Sequence, residues 1–277
     1  MAPLILLGTS IAGRGGDSGR RETAAQASLV ECVAGGEALC VNLGFIDEPD
    51  RAGPLETLRV LGLDAPRVST VAGPRKPVIT EMLDALASEA DARGLSRIGL
   101  VNGDIIVTRQ AIARVSNGAI PAAALSRTDF GGGPEEPLLH GVDMVVFDVG
   151  FWRRERRRFR EYLLGEPVWD NVYASIIACH GGTLINRERL ILHERHAAAF
   201  HGSPYARYIH LLAARDRSYF SIWCAYVSRA TGLREGGGTP EEERALQREI
   251  FRPPGVAAQA MDVGRAAWWR GRRMFDA

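Results

Sequence analysis

The sequence predicts an α/β protein in which a mainly parallel central sheet is flanked by helices and followed by a helical C-terminal extension. Three observations predict it. Apolar runs at 3–7, 38–43, 67–71, 98–101 and 142–149 read as strands, and segments of helical periodicity at 22–34 and 79–93 lie between them. Such alternation implies crossover connections and a sheet covered on both faces. The character then changes beyond about residue 202, where Tyr205–Leu212 and Tyr219–Thr231 are helical in pattern. We divide the chain accordingly into 1–201 and 202–277.

Taken in order, Leu4-Ile5-Leu6-Leu7 is a first strand; it is too short for a signal-peptide core, and no positive residue precedes it. Gly8-Thr9-Ser10 ends it, and Gly13-Arg14-Gly15-Gly16 follows as a loop that fits neither GxGxxG nor the P-loop pattern. In the helix over 79–93, Ile79, Met82, Leu83, Leu86 and Ala90 share one face, with Thr80 as a cap and Gly94 as the left-handed terminator. Asn102-Gly103-Asp104 separates the apolar run Ile98–Val101 from Ile105-Ile106-Val107, a polar turn at the carboxyl end of a buried strand. Gly131 to Pro137 is a loop between two halves of the unit. After Gly236-Gly237-Gly238, a capped helix begins at Thr239-Pro240-Glu241-Glu242.

Composition narrows the function classes. The 277 residues are 46% hydrophobic and 24% charged with a formal net charge of +1, so no global field favours nucleic acid. The densest basic run, Arg153 to Arg160, reads as a solvated helix face. Cys32, Cys40, Cys179 and Cys224 show no CxxC spacing, so neither a disulfide framework nor a zinc site is expected and a cytoplasmic setting fits. No stretch reaches the ~20 apolar residues of a membrane span. The aromatic and basic tail Trp268 to Arg273 leaves peripheral membrane contact open, beside a role in covering the core.

In open α/β sheets, ligands bind beyond the carboxyl ends of strands, where Asn102-Gly103-Asp104 falls. Three further segments accompany it: Gly141-Val142-Asp143, then Gly165-Glu166-Pro167-Val168-Trp169-Asp170-Asn171 leading into a helix, then Leu190-Ile191-Leu192-His193-Glu194-Arg195-His196 with His201 beyond. In this order they resemble the nucleotide-sugar-dependent glycosyltransferases of the GT-A fold. The likeness is to the bacterial group with an Asn-x-Asp-Ile strand end, a Gly-x-Asp strand, a Gly-x-Pro-x-Trp-Asp-Asn turn and a His-rich strand end. It covers residues 3–201, and Gly165 to Asn171 is its most specific element.

The resemblance implies a nucleoside diphosphate sugar as donor, a hydroxyl acceptor of unknown identity, and Mn²⁺ or Mg²⁺. Asp104 would bind the metal, and His193 would complete its shell or contact phosphate, since imidazole suits Mn²⁺ better than Mg²⁺. Asn102 stands where many members of the wider fold carry a first acid, leaving one fewer negative charge. Asp170 is the candidate base, and equally a candidate helix N-cap. Asp143 would position sugar or acceptor, unless it is a solvated turn residue. Trp169 would stack on a sugar face or sit in the core. Thr9 and Ser10 lie where the fold receives the nucleotide base. Arg75, with Lys76, or Arg20 with Arg21, would meet phosphate. Asn171 and His196 complete the substrate contacts. Two alternatives stay open, a catalytically silent nucleotide- or glycan-binding protein and a sugar nucleotidyltransferase.

Overall fold

This computed structural model describes residues 5–11, 13, 15–48, 53–61, 76–116, 118–133, 135, 137–165, 167–196 and 213–273, the last eight as backbone. The expected strand at 67–71, the helix at 205–212, Arg75 and His201 lie outside the described residues.

The chain builds strands β1 (Leu6–Thr9), β2 (Leu39–Phe45), β3 (Glu56–Val60), β4 (Arg97–Val101), β5 (Ile105–Val107), β6 (Ala122–Phe130), β7 (Pro137–Asp148), β8 (Thr183–Ile185) and β9 (Ile191–Glu194). Its helices are α1 (Gly16–Ala34), α2 (Ile79–Ala92), α3 (Arg109–Val115), α4 (Val149–Glu155), α5 (Trp169–Cys179), α6 (Arg217–Glu235), α7 (Pro240–Ile250) and α8 (Val256–Arg273). The strands form one sheet in the order β3-β2-β1-β4-β7-β6-β9-β5, with β8 also paired to β6.

The fold is thus the expected α/β class, a central sheet flanked by helices. Its first half, β3-β2-β1-β4, is parallel, as expected from the crossovers. Its second half is mixed: β7 runs antiparallel to both β4 and β6, and β9 antiparallel to β5. For β6 and β7 the reason lies in the shortness of the connection from Phe130 to Pro137. So short a connection can join only antiparallel neighbours.

The sheet's pleat sorts the core into two layers. Leu6, Val41, Ile98, Ala124, Val145 and Phe147 face α2, α4, α5 and α6, while Leu7, Cys40, Ala123, Met144 and Val146 face α1 and α3. Successive residues point to opposite faces, so one strand serves both layers. Cys32, Cys40 and Cys179 are buried free thiols, as their apolar surroundings suggest, and Cys224 is exposed and free.

Local signals behave unevenly. Gly94 does take the left-handed conformation, at φ +69°, and the amide of Leu95 bonds back to Ala90 O at 2.7 Å to close α2. Thr80 does not cap that helix. It is buried inside the first turn, and the amide of Ile79 donates instead to Tyr162 O at 2.9 Å, a tertiary partner doing the work of a cap. α1 begins six residues before the expected 22, at Gly16. The capping box of Thr239 and Glu242 with Pro240 opens α7 as its sequence requires.

The C-terminal helices are fastened to the sheet domain. α6 packs on α5 and β7, and α7 and α8 pack on α6. Glu243 on α7, 1% exposed, accepts from Arg187 at 2.5 Å, Arg234 at 2.9 Å and the Tyr226 hydroxyl at 2.7 Å. A buried carboxylate demands such pairing. The basic run is likewise engaged: Arg153 with Asp91, Arg154 and Arg158 with Glu155, Arg156 with Asp84, and Arg160 with Asp216. The run is not the helix face expected: α4 ends at Glu155, and the chain continues through a 3-10 turn at Arg156–Arg158. Among the described residues, no helix is long and apolar enough to cross a membrane.

A candidate metal and acid–base site at the strand ends

The site is built around the turn between β4 and β5. The amide of Asn102 donates to Asp143 O at 3.1 Å, and the amide of Ile105 returns to Asn102 O at 3.2 Å, closing the turn. Gly103 presses on the end of β1, where a Cβ would meet Ser10 O at 2.8 Å. No side chain fits there. The backbone of Ser10 is therefore packed against this turn, and the amide of Ile11 is fixed by Asn42 Oδ1 at 2.9 Å. Gly103→Ala is expected to lower stability to urea by ~1–3 kcal/mol, the usual cost of overpacking. By lifting the turn off β1 it should also weaken Mn²⁺ binding; unchanged values on both counts would remove the constraint.

Strand register brings the next groups in. β9 lies between β5 and β6, with His193 opposite Ile105 on one side and Asp129 on the other. Asp104 lies in the turn just before Ile105, and its carboxylate and the His193 ring converge. His193 Nε2 and His196 Nε2 each lie 3.7 Å from Asp104 Oδ2 and 3.2 Å from one another. All three donor atoms fall within 4.8 Å of one another, spacings that a single ion with bonds near ~2.1 Å can span. Burial opposes the Asp104 charge, but hydrogen bonding and attraction to His193 hold its carboxyl below the ordinary range. Burial likewise disfavours the His193 imidazolium, and Asp104 outweighs it, raising that ring's pKa.

Behind His193 stands Asp129, whose Oδ1 lies 2.9 Å from Nδ1. A carboxylate on the far ring nitrogen fixes the tautomer and turns the Nε2 lone pair toward the cluster. Arg127 donates to Asp129 at 2.8 Å and to Asp143 at 2.8 Å. Neither Arg127 nor Asp129 is apparent from sequence, because β6 is not. The only available signal is their i, i+2 spacing, which puts both on one face of a strand.

Asp143 is not the solvated residue of a strand entry. It is 6% exposed in the middle of β7, at a bulge: Leu125 pairs with Met144 and Ser126 with Val142, so Asp143 is the extra residue. Bulges re-aim side chains beside active sites. Here the carboxylate receives Arg127 and the Asn102 side-chain amide, which ties Asn102 away from the cluster and leaves its Oδ1 buried without a partner.

The Gly165–Asn171 segment supplies the remaining carboxylate. Val168 adopts φ +84°, the one non-glycine positive φ among the described residues. A β-branched residue held there stores on the order of 1–3 kcal/mol, strain of a kind that clusters at functional sites. It turns the chain abruptly into α5, whose first turn carries Trp169, Asp170 and Asn171. Asp170 is half-buried; burial first, then the Asp143 charge, push its carboxyl up to about 7, against the pull of the Asn171 amide and Arg127. Trp169 is 2% exposed and sits edge-on to Tyr173 at 5.7 Å, the core placement of its two. Asn171 donates to His140 O at 3.4 Å. His196 joins the donor cluster. Arg20 is held by Glu194 at 2.5 Å, and Lys76 reaches Gly165 O at 3.3 Å.

No family profile matches the chain, and no curated protein matches it in sequence. Solved structures do. One described as a nucleotide-diphospho-sugar transferase from Desulfovibrio desulfuricans G20 aligns over 53% of this chain and 64% of its own, at 12% identity and a TM-score of 0.35. A cytidylyltransferase from Leptospira borgpetersenii serovar Hardjo-bovis aligns over 56% and 64%, at 11% identity and 0.34. The chain thus spans under two thirds of both. TarS 1-349 of S. aureus, in complex with UDP-GlcNAc, aligns over 96% and 89%, at 11% identity and 0.45.

Proposed function

We propose that this chain is a metal-dependent GT-A-like glycosyltransferase that moves a sugar from a nucleoside diphosphate sugar to a hydroxyl acceptor. The observation that carries the reading is the convergence of Asp104, His193 and His196 against the end of β1. One carboxylate and two imidazoles suit an ion of the Mn²⁺ class better than Mg²⁺, which prefers an all-oxygen shell. Held by these three side chains, such an ion would act as a Lewis acid toward the leaving diphosphate.

The chain's own residues supply the rest. Thr9 and Ser10 would receive the base of the donor. Asp170, with a carboxyl titrating at about 7, is matched to proton abstraction near neutral pH. Its carboxylate would accept the proton of the acceptor hydroxyl as that oxygen bonds to the anomeric carbon, while the bond from that carbon to the diphosphate breaks with its electron pair. Asp143 serves the base by raising its pKa. Residues 1–201 would form the donor-binding and catalytic domain, with 202–277 as the helical extension.

The second reading is nucleotide binding without turnover, which the cluster's single carboxylate favours: Asn102 is an amide, and its side chain is held by Asp143. A thermal-shift panel of UDP, GDP, CDP, dTDP and ADP, with and without Mn²⁺, separates these. Ligand at ~100 times its Kd adds about 2.7 kcal/mol. A shift for one nucleotide that requires Mn²⁺ is the expected result. A shift indifferent to metal supports binding alone, and none with any nucleotide rejects both.

A further inference from the structure

Arg127 contacts both the carboxylate behind His193 and the carboxylate at the β7 bulge. It extends from β6 across β7, in space that Gly141 leaves open: a Cβ there would meet Arg127 Cγ and Nε, each at 3.2 Å. Its guanidinium then forks. Nε donates to Asp129 Oδ1 at 2.8 Å, and Nη1 donates to Asp143 Oδ2 at 2.8 Å. Asp129 Oδ1 is the atom that faces His193 Nδ1 at 2.9 Å. Asp143 is the carboxylate whose charge acts on Asp170, and its other oxygen holds the Asn102 side chain.

We infer that Arg127 is a positioning residue that joins the cation-facing imidazole of His193, through Asp129, to the Asp143 carboxylate that acts on Asp170. The inference rests on reading Asp104, His193 and His196 as a cation site and Asp170 as a base. The planar fork is what the role needs. A guanidinium offers two donors at fixed separation, so both carboxylates are placed by one rigid group; an ammonium is a point charge and sets no such spacing. A guanidinium that merely neutralised two acids would have no reason to share the Asp129 oxygen with His193.

The test is calorimetric titration of MnCl₂ into the full chain as wild type, Arg127→Gln, Arg127→Lys, Asp129→Asn and the Arg127→Gln/Asp129→Asn double variant. Alongside it, the Asp170 carboxyl is titrated by ¹³C NMR, its signal identified by its loss in Asp170→Asn. Arg127→Gln should weaken Mn²⁺ about 10–100-fold, the usual cost of losing support behind a metal-binding histidine. Asp129→Asn should do the same, and the double variant should be no weaker than either, since both act through one path. The Asp170 midpoint should move above that of wild type in Arg127→Gln and stay in Asp129→Asn. Arg127→Lys should restore that midpoint while leaving Mn²⁺ weak, and it carries the test if the glutamine variant does not fold. Wild-type Mn²⁺ affinity in either Arg127 variant, or losses that multiply in the double variant, overturns the inference and leaves the cation site standing. Wild type that binds no Mn²⁺ overturns the cation site, and the inference falls with it.

Discussion

Asp104→Ala is expected to abolish measurable Mn²⁺ binding while the chain still unfolds in one cooperative step. Asp104 is the only carboxylate among the three clustered donors, and the two imidazoles cannot replace its charge. Loss of a supporting residue behind a ligand already costs about 10–100-fold, so loss of the anionic ligand itself should exceed that. Its side chain is a third exposed and lies on a turn rather than in either core layer, so the melting temperature should move by only a few degrees. Calorimetric titration of MnCl₂ beside a thermal melt reads both quantities. Retained Mn²⁺ affinity would take the cation away from this turn. An Asp104→Asn variant, with the same shape and no charge, should behave like the alanine.

Asp170→Asn should lower turnover of whichever donor the thermal-shift panel identifies by about 10²–10⁴-fold, the usual weight of a general base, with nucleotide affinity unchanged. Wild-type activity should rise with pH through about 7 as the carboxyl ionises, and this limb should vanish in the variant. The same group makes a statement about stability. Its folded pKa, about 7, lies above the unfolded value near ~3.9, so the folded state binds the proton more tightly. Its stabilising contribution is full below pH ~4 and is lost as pH rises to 7. Above that, ionised Asp170 costs about 4 kcal/mol at 1.36 kcal/mol per unit, less whatever water reaching the carboxyl screens. Asparagine carries no such cost. Melts should therefore show the variant more stable than wild type at pH 8 and little different at pH 4. Equal melting curves at both pH values, or wild-type turnover, would remove Asp170 from the role of base.

What the sequence discloses here depends on how local the signal is. The turn at Asn102-Gly103-Asp104, the Gly94 terminator and the Thr239–Glu242 capping box are legible because each is decided within a few residues. β6 is not. Its Ala122-Ala123-Ala124 start has helical rather than strand propensity, and burial of both faces erases the polar alternation that marks a strand. Arg127 and Asp129 were hidden with it. Thr80 misleads because a long-range partner, Tyr162 O, serves the helix start instead. The pairing of His193 with His196 depends on where the chain leaves β9, which spacing alone does not state.

The bulge at Asp143 makes chain length a stricter requirement than residue identity on this strand. With Asp143 present, Leu139 and Val142 are buried while His140 is exposed. Removing one residue at that point would realign Ser126 with its partner and, because side chains alternate with a period of two, turn Val142 out of the core layer it fills, up to the second register shift between Ser126 and Thr128. Homologous chains related to this one by substitution can keep the same site, whereas a one-residue deletion here would re-aim the strand beside it.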